Sequence, residues 1–382
     1  IVVSNCSSVI LANSSLASMV GLRAIDLINV ANLTLVRQSF ELSPQSTRTW
    51  ISVRNCSIDT MPSFVFRGDV EAIILENVRI GQLSAFSFAN LVHTEKLRLE
   101  NCRIESIEAQ AFKKFDVGHL RVIGTRFGDQ VPSRTMNDVE VYHTFMLDGV
   151  RMGTVRSEAF IVRSPRTVAI QNCVVESLES EAFDVTARGP VIVKNNTFGS
   201  LSVGAFLGVR ADAEARTQPS LHDLIFKNNS VVNFEEGSIM FDRNSFRLEL
   251  DNLLVGRSCD CRMLPVFLLP VLVSSQDTPI NETPETFLCY DGETSNGVAI
   301  SFVEYETRHC SLGGSVLVFV LVIAVLLLLS ILIACLIVWC CRRRRRNSRK
   351  NRITMVVPDG RLYRETEFHV IVEKAEPLTT EL

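Results

Sequence analysis

The chain has 382 residues, enough for two ordinary domains or one long repetitive one. Its net charge of −3 leaves no cationic excess for a nucleic-acid partner, and none is expected. The charge is unevenly divided: residues 1–314 hold 28 Lys/Arg against 36 Asp/Glu, whereas residues 342–382 hold 11 against 6.

The chain opens at Ile1 inside a repeat-like phrase, with neither an initiator Met nor a signal peptide, so a processed or missing N-terminus is expected. Phrases of the form LxL then recur. Taking the second apolar residue of each as an anchor gives Val3, Leu27, Val53, Leu75, Leu99, Val122, Leu147, Ile170, Val193, Phe226 and Leu250. Most steps fall in the twenties, the signature of a solenoid in which each turn buries its apolar face only against its neighbours. The longest step, from Val193 to Phe226, contains the polar insertion RADAEARTQPSLH. Apolar residues alternate with outward ones around each anchor, which predicts a short strand per turn. A second apolar column runs through Leu35, Met61, Leu83, Ile107, Val155, Leu178, Leu201 and Phe234. A third holds Phe40, Phe66, Phe88, Phe112, Phe160, Phe183 and Phe206.

Two residues past each anchor only Asn or Gly occurs: Asn5, Asn29, Asn55, Asn77, Asn101, Gly124, Gly149, Asn172, Asn195, Asn228 and Asn252. These residue types enter the left-handed region most readily, which predicts a positive-φ turn at each strand end. The next column mixes Cys6, Cys56, Cys102 and Cys173 with Val, Thr, Asn and Leu. These residues share modest size and not ligand chemistry. No two adjacent turns carry Cys, and two turns separate by roughly 10 Å, beyond the reach of a disulfide. Free, buried thiols are therefore predicted, with no metal site, since the six His never share a column.

With the phrases LRLENCRIESIEAQAFKKF and VAIQNCVVESLESEAF the chain resembles the extracellular leucine-rich-repeat family, whose typical unit is LxLxx(N/C)xLxxIxxxAFxxL. The resemblance covers roughly Ile1 to Cys310. It weakens at LRVIGTRFGDQVPSRTM, where Thr135 stands in place of the Phe. It implies an α/β, strand-rich leucine-rich-repeat solenoid over residues 1–257, with a concave parallel sheet that binds macromolecules. A pectinase-like parallel β-helix is the alternative fold, and the Ala–Phe pairs count against it. Residues 258–311 resemble the family's cysteine-rich C-terminal cap, although the Trp often found there is absent. The resemblance implies the pairing Cys259–Cys289 and Cys261–Cys310. Zinc binding is the alternative reading of these cysteines; an oxidising location favours disulfides.

Residues 315–341, SVLVFVLVIAVLLLLSILIACLIVWCC, carry no charge and exceed the roughly 20 apolar residues that a bilayer core requires. RRRRRNSRKNR follows directly, which predicts a type I orientation in the plasma membrane with the C-terminus cytoplasmic. N-glycosylation sequons begin at Asn5, Asn13, Asn32, Asn55, Asn195, Asn228 and Asn281, all before the span. Cys340 and Cys341, at the inner leaflet, are candidate palmitoylation sites. The tail, residues 342–382, is expected to be mostly disordered, with a hairpin or partner-induced strand around Pro-Asp-Gly. It ends TTEL, so Thr380 and Leu382 match the terminus that PDZ domains capture by strand addition.

No Ser/His/Asp or phosphate-loop arrangement is present, and neither catalysis nor a cofactor is expected. Candidate ligand-binding residues are those predicted to face outward on the strands: Trp50, Arg54, Ile74, Arg98, Arg121 and Met146, with Lys96, His119 and Ile123 among them. Aromatic, apolar and Arg side chains on one exposed face point to protein recognition. The expectation is a cell-surface receptor or adhesion protein that binds an extracellular protein ligand or cell-surface protein, a second copy of the chain included, and recruits a PDZ scaffold through its tail. The alternatives are a non-adhesive co-receptor in the same membrane and a membrane-tethered β-helix carbohydrate-active enzyme.

Overall fold

Each LxL phrase forms a strand because its apolar residues can be buried only by stacking on the same phrase one turn away. The computed structural model describes residues 1–350 except 47, 92, 214–221, 236, 243–244, 262–286, 292–297 and 311–312. Two units emerge, Ile1–Ser311 and Leu312–Leu382.

The first unit is a parallel β-solenoid. Eleven strands, from Val2–Ser4 to Phe246–Asp251, stack side by side in sequence order on one face. Every anchor is the register partner of the next: Val3 with Leu27, Leu27 with Val53, and onward to Phe226 with Leu250. A second face is built after the Asn/Gly turn, from strands such as Arg79–Leu83, Arg103–Ile107, Val174–Leu178 and Thr197–Leu201. A third face carries the Phe column, with Phe160–Arg163 paired to Phe183–Ala187. Strands on three sides close the turn, so the strand–helix alternation of an α/β label is not observed. Among the described residues of 1–212 none is helical. Two return strands per turn, of two to six residues each, and their tight turns leave no room for the roughly ten residues that a helix requires.

All eleven Asn/Gly positions have positive φ, between 49° and 65°. Four consecutive Asn form a side-chain ladder: Asn29 Nδ2 donates to Asn5 Oδ1 at 2.9 Å, Asn55 to Asn29 at 3.0 Å and Asn77 to Asn55 at 3.1 Å. At Gly124 a Cβ would lie 2.3 Å from Asn101 Oδ1, so any side chain there would require the Asn101 amide to turn aside.

The neighbouring Cys column is not chosen by size alone. Cys56, Cys102 and Cys173 each direct Sγ at the anchor carbonyl one turn back, that of Leu27, Leu75 and Leu147, at 3.4–3.6 Å. Thr125, Asn196 and Asn229 donate to the equivalent oxygens of Leu99, Ile170 and Val193. Cys, Thr and Asn thus share a donor function, and Val30, Val78, Val150 and Leu253 fill the same place without it. Cys56, Cys102 and Cys173 are free and buried, and Cys6 is free and half-buried. Burial pushes the Cys102 and Cys173 thiols up to about 11, so both are protonated at neutral pH.

The Phe column forms two stacks. Phe40, Phe66, Phe88 and Phe112 follow one another at 4.7–5.3 Å between ring centroids, and Phe160 stacks on Phe183 at 5.0 Å. Between the stacks Met136, and not Thr135, pairs with Phe112 and Phe160. An extra residue in the segment Phe127–Asp129 moves this turn's frame by one. Arg126 still bridges Arg103 and Arg151, but Gln130 and Val131 pair with Thr154 and Val155.

At the C-terminal end Phe287–Tyr290 pairs with Leu253–Ser258 and then antiparallel with Ala299–Ser301. Phe287, the register partner of Leu253 in the last turn, is buried, as is Phe302, and this segment removes an apolar solenoid end from water. Disulfides join Cys259 to Cys289 and Cys261 to Cys310. In the second unit the helix Gly313–Lys350 contains Phe319–Arg345, long and apolar enough to cross a membrane.

Candidate functional site

The first sheet presents two adjacent rows of outward side chains. Trp50, Ala72, Lys96, His119 and Thr144 are successive register partners, as are Ser52, Ile74, Arg98, Arg121 and Met146. The period-2 alternation of the strands sends both rows outward while Ile73, Leu97 and Leu120 turn into the core. Ala72 has no side chain large enough to fill its place. The Lys96 ammonium instead reaches to 5.4 Å from the Trp50 ring centroid, and Ala72 is fully buried beneath.

The result is a cleft of about 450 Å³ lined by Trp50, Ile74, Lys96, Leu97, Arg98, His119 and Arg121. Its wall is cationic on one side and aromatic and aliphatic on the other. Trp50 is 41% exposed. Arg98 makes an ion pair with Glu100 at 2.5 Å, whereas Arg121 has no carboxylate partner among the described residues. The Nε atoms of Arg98 and Arg121 are buried and unpartnered. Burial first, and then the Arg121 guanidinium, hold the His119 imidazole below its ordinary value, so it is neutral at physiological pH.

The candidate binding residues divide. Trp50, Ile74, Arg98 and Arg121 line the cleft together with Lys96 and His119. Arg54 does not: it stands in the next row, ion-paired with Asp26 at 3.1 Å. Met146 follows Arg121 in register, half-buried beyond the lining residues. Ile123 is in the Arg54 row.

A second cluster escaped the reading of the sequence. Glu95, His119 and His143 place one ligand atom each within 4.8 Å of one another. His119 Nε2 lies 3.6 Å from Glu95 Oε1, and the two imidazole rings are 5.0 Å apart. Counted from their anchors, Glu95 and His143 stand four residues before and His119 three before, so the imidazoles fall in different columns. The register shifts between Val117 and His119, where the partner strand has one residue more; His119 pairs with Thr144, and His143, the extra residue, stands diagonally beside it. The signal was present: residue numbers 95, 119 and 143 are evenly spaced at the repeat period.

Sequon residues Asn5, Asn13, Asn32, Asn55, Asn195 and Asn228 are exposed. Asn55 and Asn195 also donate along the Asn ladder. An amide nitrogen bonded to a sugar retains one hydrogen, so glycosylation and the ladder are chemically compatible. Cys340 and Cys341 are exposed on the C-terminal helix. Asn281, Thr380, Leu382 and the tail hairpin lie outside the described residues. No protein-family model and no curated protein matches the chain.

Proposed function

We propose that the chain is a single-pass cell-surface receptor or adhesion protein of the leucine-rich-repeat type, which binds an acidic protein surface through the Trp50–Arg121 cleft. The observation that carries this reading is the cleft itself. An exposed Trp, an Ile and several cationic groups on one sheet, with Arg98 alone of the arginines ion-paired, are the side chains that dominate protein interfaces. The repeat-family assignment is supported by the column of Cys, Thr and Asn donors, which occupies the N/C position of the family's unit and acts there on the preceding turn. The type I orientation is supported by the arginine run directly after the apolar helix and by sequons confined to the residues before it.

The test is capture of cell-surface proteins by the full chain displayed on cells, compared with Trp50→Ala and Arg98→Glu/Arg121→Glu variants. The reading requires the partners of the native chain to be lost from both variants at unchanged surface expression; equal capture removes the cleft from the function. The orientation is checked by glycosidase sensitivity and by antibody access to an N-terminal tag on intact cells.

A second reading, a membrane-tethered carbohydrate-active enzyme, is favoured by the three-sided winding of strands. The residues lining the cleft include no carboxylate pair of the kind that glycosidases use. Turnover of polysaccharide by the purified chain would establish it against the binding reading.

A further inference from the structure

We propose that Glu95, His119 and His143 form a binding site for a zinc-class divalent transition-metal ion on the solenoid surface. Three consecutive turns contribute one ligand each, so the site is built by the repeat and by nothing local in the chain. The ligand atoms already lie within 4.8 Å of one another, with His119 Nε2 and Glu95 Oε1 at 3.6 Å. Atoms bound to one tetrahedral zinc at about 2.1 Å stand roughly 3.4 Å apart, so side-chain rotation alone closes the remaining gap.

Two further features are specific to this place. Gly118 carries no side chain, and a Cβ there would lie 2.7 Å from Glu95 Oε2; the glycine leaves the space in which the carboxylate reaches across to His119. The bulge beside it is the one irregularity in the register between these two strands; it leaves His143 as the extra residue, with its ring 5.0 Å from that of His119, whose own register partner is Thr144. Bulges commonly re-aim a side chain at a functional site.

The donor set selects the metal. Two imidazoles and one carboxylate suit zinc, copper or nickel, whereas calcium requires six to eight oxygens, which this surface does not supply. Lys96 and Arg121 flank His119 and oppose a cation; the Glu95 carboxylate offsets part of that repulsion. Three protein ligands leave a fourth position for water or for a side chain of a bound partner. The site does not depend on the receptor reading, because its ligands, apart from His119, lie outside the cleft lining.

The experiment is titration of the purified full chain in lipid nanodiscs with Zn²⁺ alone, by calorimetry, and with Co²⁺, by visible absorption. Variants Glu95→Gln and His143→Ala are titrated alongside, with metal-free thermal melting as the control for folding. The expected result is saturable one-to-one binding with a tetrahedral Co²⁺ spectrum, weakened at least tenfold in each variant, and a rise in melting temperature on adding zinc that the variants lose. Absence of saturable binding by the native chain, or equal binding by folded variants, overturns the site. The second outcome would assign the metal to other donors, the exposed thiols of Cys340 and Cys341 first among them.

Discussion

Cys102 and Thr125 perform the same task one turn apart. Sγ of the first lies 3.4 Å from the carbonyl oxygens of both Leu75 and Glu100, and Oγ1 of the second lies 3.4 Å from that of Leu99 and 3.1 Å from that of Ile123, so each hydrogen is shared between the preceding turn and its own. Thr125 also accepts from the Cys102 backbone N–H at 3.2 Å, so the column is a polar seam within the core.

Asn196, like Asn229, makes three side-chain hydrogen bonds in that seam. Its Nδ2 donates to the Ile170 carbonyl at 2.9 Å, and its Oδ1 accepts from the Cys173 backbone N–H at 2.8 Å. Asn196→Leu removes both partners and leaves a buried N–H and a buried C=O, each worth about 1–3 kcal/mol. A loss of about 2–4 kcal/mol is expected in denaturant unfolding. Cys102→Ser, which keeps the donor, should stay within about 1.5 kcal/mol of the native chain.

Alkaline pH should destabilise the solenoid through the same seam. The Cys102 and Cys173 thiols are raised from 9.0 to about 11 by burial. A group raised in the folded state contributes stability that is intact below the unfolded value and lost as pH rises toward the folded one. Each thiol therefore removes on the order of 2 kcal/mol between pH 9 and 11, at about 1.4 kcal/mol per unit. Melting temperature against pH should fall in this window, and fall less in a Cys102→Val/Cys173→Val variant. Alkylation mapped by mass spectrometry at pH 8 should reach the exposed Cys340 and Cys341 and not these two.

The turn column can be tested by exchange. Asn101 has φ 51°, so Asn101→Gly should be nearly neutral, whereas Asn101→Val should destabilise by roughly 1–2 kcal/mol. Gly124→Ala should be worse than its φ of 57° alone implies, because the added Cβ would meet Asn101 Oδ1 at 2.3 Å. Pairing it with Asn101→Gly should recover part of the loss, measured as a double-mutant cycle in thermal unfolding.

Phe112 ends the first ring stack, 4.7 Å from Phe88 and fully buried. Phe112→Ala should lower stability by about 3–5 kcal/mol. Because a solenoid turn is coupled chiefly to its neighbours, hydrogen exchange should quicken most in the turns around Phe88 and Met136 and least near the cap. Met136→Leu should change stability by less than about 1.5 kcal/mol.

Much of this protein was legible in the chain, because a solenoid repeats a local rule. Period-2 alternation around Leu99 fixed the strand, and the Asn/Gly restriction after it announced the positive-φ turn; both depend on a residue and its immediate neighbours. The outward positions of Trp50, Ile74, Arg98 and Arg121 followed from the same alternation. What the columns could not express was whatever broke their frame. The extra residue near Phe127–Asp129 put Met136 in the place assigned to Thr135, and the bulge opposite Gly118 left His143 as an extra residue diagonal to His119, although the two count differently from their anchors. Nor did the sequence reveal that Cys, Thr and Asn act as one kind of donor, since the accepting carbonyl belongs to another turn. The sequence by itself determined the period, the strand faces, the turns and the apolar helix, all properties of local pattern. Only the tertiary structure decided the third side of the winding, the partners across turns and the assembly of Glu95, His119 and His143, because register between strands is settled by packing summed over the whole stack.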